Sequence, residues 1–155
     1  MRLLVILVVL VVGVGPSASG AAAESPRVDR ADVVAALDVL HGWDARRSRA
    51  WARADEQELR SLYLPGSAAA RSDVRLLRSY AAHGLVVRRM VTQVFGVVVI
   101  RRDPGRLTIR VLDRVAGGKV VDDDRTLALP SSRPVVRRIE FVRGGGTWRV
   151  ARVTR

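Results

Sequence analysis

Apolar residues run from Leu3 to Val14 with Gly13 the sole interruption, and Gly15-Pro16 ends the run. Apolar positions return near Ala31 with a helical period. Val33, Ala36, Leu37, Leu40, Trp43, Arg47, Trp51 and Ala54 fall on one side at about 100° per residue, and Ala35, Arg46, Arg49 and Arg53 fall on the other. The spacing predicts a long amphipathic helix over 31–54, with Gly42 as its weak point. Asp55, followed by Glu58, reads as the cap of a second helix with Leu59, Leu62 and Tyr63 on its apolar face. Leu64-Pro65-Gly66-Ser67 reads as a turn. A third helix is predicted over 70–82, with Ser72 and Asp73 in its first turns and Val74, Leu77 and Ala81 inward. Gly84 follows as the residue that closes it.

After Gly84 the period changes to that of strands. Leu85 to Arg102 is a long Val-rich strand in which Gly96 marks a bulge or bend. Asp103-Pro104-Gly105 is a hairpin turn, Arg106 to Val115 alternates, and Gly117-Gly118 reads as the next turn. Lys119 to Leu129 is predicted as one weaker strand, Pro130 to Pro134 as a loop, and Val135 to Arg143 as a strand. Gly144-Gly145-Gly146 is a turn, and Thr147 to Thr154 is the last strand. Helices followed by a meander of strands define an α+β domain in which three helices cover one face of an antiparallel sheet.

The opening run has one charge before it, Arg2, and small residues after it, with Ala21-Ala22-Ala23 fitting an A-x-A cleavage signal. This layout reads as a secretory signal peptide over 1–23, followed by a linker over 24–30 and one domain over 31–155. The rival reading is an uncleaved N-terminal anchor. Leu3 to Val14 would span only about 18 Å as a helix, against a hydrocarbon core of about 30 Å. The expected location is therefore outside the cell or at its envelope. The chain has no Cys, which excludes disulfides, thiolate metal sites and a lipid-modified cysteine.

The formal net charge is +12, almost all of it from Arg, since Lys119 is the only Lys. Such a surface attracts anionic envelope material, although the codon bias of a GC-rich genome accounts equally for scattered arginines. Nucleic acid is not the expected partner of an exported chain that carries three Trp, two Tyr and two Phe without basic-aromatic interleaving.

Three segments carry a family resemblance. They are Trp43-Asp44-Ala45-Arg46-Arg47-Ser48-Arg49-Ala50-Trp51-Ala52-Arg53-Ala54-Asp55; Leu59-Arg60-Ser61-Leu62-Tyr63 with Pro65-Gly66-Ser67; and the ending Gly146-Thr147-Trp148-Arg149-Val150. Over residues 31–155 the chain resembles the NTF2-like superfamily (SnoaL-like, cystatin-like α+β), in particular the small exported or membrane-anchored members common in actinobacteria. The resemblance implies a cone, in which a bent sheet wraps a long helix and leaves a cavity at its open end. Some members are isomerases, dehydratases or cyclases with an Asp, His or Tyr in that cavity, and others serve in binding or assembly; fold alone does not choose between them. Members often dimerise through the sheet, which leaves a homodimer open, although outward Arg106, Arg110 and Arg114 argue against a flat apolar dimer face.

Polar groups on apolar faces are the candidate cavity residues. Asp44 lies between Leu40 and Trp51 on the inner side of the first helix, with Arg47 three residues on, at the spacing of an ion pair. Asp113 interrupts the apolar face of Leu107, Ile109, Val111 and Val115; it either faces the cavity as a base, reaches solvent at the strand end, or pairs with an Arg of the neighbouring strand. His41 flanks the helix's apolar side, while His83 precedes Gly84 at a helix end, where a cation suits the dipole. Neither has a metal-ligand partner at useful spacing. Tyr63 and Tyr80 read as core residues with hydroxyls reaching solvent. Asp122-Asp123-Asp124 lacks the Gly and distal Glu of a calcium loop and reads as a solvated edge. No catalytic triad, phosphate loop or zinc motif is present. No cofactor, metal or catalytic set is expected.

The chain is thus expected to be an exported non-catalytic domain that binds a small apolar ligand or an envelope protein. The alternatives are a cavity enzyme of the isomerase or dehydratase type, with Asp44 or Asp113 as base and Tyr63, His41 or His83 as donor, and an Arg-rich binder of anionic surfaces.

Overall fold

The computed structural model describes residues 29–122 and 124–155; the leader assigned to 1–23 and most of the 24–30 linker lie outside the described residues. Helix α1 (Arg30–Ala52) is capped by Asp29, whose carboxylate accepts from the Ala31 amide. Helix α2 (Glu56–Ser61) starts at the expected cap, Asp55, which accepts from the Glu58 amide at 2.8 Å. Helix α3 (Ala68–Ala82) begins earlier than the apolar pattern indicates, because Ser67 caps it. It ends at Gly84, in the left-handed region at φ 68°, with Leu85 N–H donating to the Tyr80 carbonyl across the closing turn.

Strands β1 (Val86–Asp103), β2 (Arg106–Val121), β3 (Thr126–Leu129), β4 (Val135–Gly144) and β5 (Thr147–Thr154) form one antiparallel sheet in the order β1-β2-β4-β5, with β3 also pairing β2. The β1 register shifts between Val94 and Gly96, where the sequence marks a bulge. Gly145 and Gly146, at φ 59° and 79°, are the two central residues of the β4–β5 turn. Positive φ at both positions is what a type I′ hairpin turn requires.

Three expectations need correction. Gly117-Gly118 is not a turn: β2 continues through both residues to Val121, because β1 is long enough to pair with it there. Gly118 serves a close approach instead. A Cβ at this position would lie 3.1 Å from the Met90 Cα and 3.2 Å from the Arg89 carbonyl, where β1 bulges toward it. Consequently 119–129 is not one strand. It holds the end of β2, a turn in which the Asp122 carboxylate accepts from the amides of Asp124 and Arg125, and β3. Ala81 is exposed rather than inward; the α3 inner stripe is Asp73, Val74 and Leu77, with Tyr80 packed edge-on against Trp51.

The core lies between the helices and one face of the sheet. Ala36, Leu40 and Trp51 of α1 and Leu77 of α3 join the alternate residues Leu107, Ile109, Val111, Ile139 and Phe141 of β2 and β4. Ser48 Oγ donates to the Met90 carbonyl at 3.1 Å, which fixes α1 along β1. Tyr63 bridges to Val150, which ties the α2–α3 connection to the edge strand β5.

Candidate functional site

Between α1, α3 and the inner face of the sheet lies a cavity of about 480 Å³. Its polar lining includes His41, Asp44, Arg47, Tyr63, Asp73 and Asp113; Leu40, Trp43, Leu76, Val94, Ile139 and Val153 supply apolar surface. The structure therefore gathers His41, Asp44, Arg47, Tyr63 and Asp113 around one space, whereas His83 and Tyr80 do not line it. His83 is exposed with Nδ1 2.7 Å from the Ser79 carbonyl.

The pairings differ from those that sequence spacing indicates. Arg47 does not bond to Asp44, three residues earlier. It reaches across to α3 and grips both oxygens of Asp73, Nε at 2.7 Å and Nη2 at 2.6 Å. The reason is competition: a bidentate fork fits a carboxylate on a facing helix better than one on its own helix. Asp73 is saturated, because Tyr63 Oη donates to it at 2.7 Å and Trp51 Nε1 at 3.3 Å. The Tyr63 hydroxyl therefore ends on a buried carboxylate and not in solvent. Burial and the Asp73 charge raise its pKa well above the ordinary phenol value. Burial by itself would lower the pKa of Arg47, but the hydrogen bonds and charge of Asp73 outweigh this and hold it above its ordinary value. Both groups keep their protons.

Asp113, buried on β2, is clamped by Arg137 of β4, whose Nε and Nη2 each donate to one carboxylate oxygen. Of the three outcomes open for Asp113, pairing with a neighbouring-strand Arg is the one observed. Arg137 sits two positions along from the residue opposite Asp113 in the β2–β4 register, so the contact is diagonal on the inner face.

Asp44 is the exception among the three cavity carboxylates. It accepts one hydrogen bond, from Thr92 Oγ1 to Oδ1 at 3.0 Å, and no guanidinium among the described residues bonds to it. Burial raises its pKa above the ordinary 3.8, and the Thr92 hydrogen bond and the charge of Arg47 only partly oppose this. The site thus combines two neutralised carboxylates, an apolar wall and one carboxylate whose second oxygen is open to a ligand.

Spacing missed Asp73, Thr92 and Arg137. Two of these carried a signal. Asp73 lies on the same helical stripe as Leu77 and Tyr80, and Arg137 interrupts the apolar alternation of Val135, Ile139 and Phe141 as Asp113 does in β2. Thr92 on a Val-rich strand carried none.

No protein-family profile matches the sequence, and no curated protein matches it. Solved structures do. Aln2 from a Streptomyces species superposes with a TM-score of 0.52 at 15% identity, covering 77% of this chain and 88% of that one. The intermembrane space region of the chloroplast protein ARC6 gives 0.50 at 13% identity, over 79% of this chain and 94% of that one. Rv3472 of Mycobacterium tuberculosis, a protein of unknown function, gives 0.50 at 11% identity over 77% and 70%. The chain has the NTF2-like fold. At these identities the likeness concerns the fold alone. In this NTF2-like cone the cavity lies where the helices meet the inner face of the sheet, and the chemistry of its wall is this chain's own.

Proposed function

We propose that this chain is an exported, non-catalytic NTF2-like domain that holds a small, mainly apolar ligand in its cone at the cell envelope. The observation that supports this most is the state of the wall. Asp73 and Asp113 are bound by Arg47 and Arg137, so the cavity of about 480 Å³ presents more apolar than polar surface, with Asp44 keeping an oxygen free of any bond among the described residues. Ligand sites have this character: apolar enclosure for affinity and a few fixed polar groups for orientation. A ligand with one hydroxyl or amine facing Asp44 fits it. The apolar run at Leu3–Val14 and the A-x-A sequence before Glu24 support export.

Native mass spectrometry of residues 24–155 secreted from a related host tests this reading. A bound mass that disappears on denaturation is expected, and Asp44→Ala should lower its occupancy. A bare mass, together with no thermal shift against a library of small apolar alcohols and amines, overturns it.

A second reading, proton transfer in the same cavity, is favoured by Asp44 alone: a desolvated carboxylate with a raised pKa and a free oxygen has the features of a general base. Tyr63 is a poor donor for such chemistry, because its proton is committed to Asp73. Reproducible turnover of a carbonyl or halide substrate that is lost in Asp44→Asn would establish this second reading over the first.

A further inference from the structure

The outer face of the sheet, away from the helices, carries a second surface that the cavity does not explain. Directly paired residues of antiparallel strands share a face, so the register defines it. Gly96, Leu112 and Val136 form one row across β1, β2 and β4, and Val98, Arg110 and Arg138 form the next. Phe95, the bulge residue beside Gly96, lies 5.6 Å from the guanidinium of outward Arg114. Phe95, Val98, Leu112 and Val136 are 48%, 41%, 38% and 51% exposed, whereas Ile109 and Val111, alternating with them on β2, are completely buried.

Around this apolar patch the same face carries Arg106, Arg110, Arg114, Arg138 and Arg152. Its acids are engaged, Asp103 with Arg101 at 2.7 Å and Glu140 with Arg138 at 3.7 Å. Arg110 and Arg138 stand directly opposite one another. Like charges in that position destabilise a sheet; Glu140 offsets this for Arg138, and an anion held between the two arginines would reduce the repulsion that is left.

We propose that this face docks onto a membrane surface rich in anionic lipid. The apolar side chains enter the boundary between headgroups and acyl chains, and the arginines extend along them to hold phosphate oxygens. A second copy is the poorer occupant, because a symmetric pair would bring the two sets of arginines together. The apolar residues and the arginines are spread over β1, β2, β4 and β5, which suits an extended anionic surface. This proposal is independent of the ligand reading of the cavity.

The absence of cysteine permits a clean test on the full chain. An environment-sensitive dye is attached to Val136→Cys and, in a separate sample, to Val34→Cys, an exposed site on the α1 side of the molecule. On phosphatidylcholine vesicles containing phosphatidylglycerol, the label at 136 should shift to the blue while the label at 34 remains in water. The shift should vanish on phosphatidylcholine alone and in about 1 M salt, where screening acts within ~3 Å. Arg110→Gln with Arg138→Gln should reduce partition roughly 20-fold or more, at about fivefold per arginine, with an unchanged circular dichroism spectrum. No shift on anionic vesicles overturns the proposal, as does an equal shift on neutral ones. A vesicle-independent shift that grows with protein concentration assigns the face to a second copy. A shift with polyglutamate and none with vesicles assigns it to an acidic protein.

Discussion

Asp44 and Asp73 show how the same side chain takes opposite roles through its partners. Asp73 accepts from an arginine, a tyrosine and a tryptophan, and holds α1, α3 and the α2–α3 connection together. Asp73→Ala would leave half-buried Arg47 with only its contact to the Met90 sulfur and the Tyr63 hydroxyl without a partner, and should cost about 3–5 kcal/mol in urea denaturation. Asp44 behaves differently. Its pKa is higher in the folded chain than the ordinary value because burial disfavours the charge. The folded state therefore binds the proton more tightly than the unfolded state, and stability falls as pH rises through the interval between the two pKa values. Asp44→Asn keeps an acceptor for Thr92 Oγ1 and removes the charge. It should melt higher than the native chain at about pH 7, and the difference should shrink as the pH is lowered toward about 3 and Asp44 becomes neutral. Thermal melts at a series of pH values would show this, and a difference independent of pH would contradict the assignment.

At the scale of elements, glycines do two separate jobs. Gly145 and Gly146 supply the positive φ of a tight hairpin. Asn is the residue most at home in the first position of such a turn, so Gly145→Asn should be neutral or stabilise by a few tenths of a kcal/mol through a less disordered unfolded chain. Gly118 sits in a strand where a Cβ would crowd the β1 backbone at 3.1–3.3 Å. Gly118→Ala should cost about 1–3 kcal/mol by forcing the strands apart. It should also loosen amide exchange protection at Val87 and Val120, which pair beside it. Both changes are read by chemical denaturation, and their opposite outcomes separate a turn glycine from a contact glycine.

At the scale of the molecule, one apolar cluster joins the three helices to β1, β2, β4 and β5, and Phe141 is among its largest fully buried side chains. Phe141→Ala should cost about 3–5 kcal/mol and lower one cooperative transition, with near- and far-ultraviolet circular dichroism moving together. Two separated transitions would mean that the sheet holds without its helices. The cavity persists beside this core because its wall carries charged groups that cannot collapse onto apolar neighbours, and the arginine clamps keep those groups apart from one another.

The periodicities by themselves determined the element order, the caps at Asp55 and Gly84, the bulge near Gly96 and the inward faces of α1 and β2, because each depends on local geometry or on alternation along one segment. They also marked Asp44 and Asp113 as polar interruptions of apolar faces. Tertiary structure decided what those interruptions do. Arg47 binds Asp73 and not Asp44, since the choice depends on which carboxylate a facing helix presents. Arg137 neutralises Asp113 because the β2–β4 register brings them onto one diagonal. Gly117-Gly118 has the composition of a turn, and only the length of β1 keeps it in a strand. Partners far apart in the chain leave no spacing to read, so the open oxygen of Asp44 became visible only once the chain was folded.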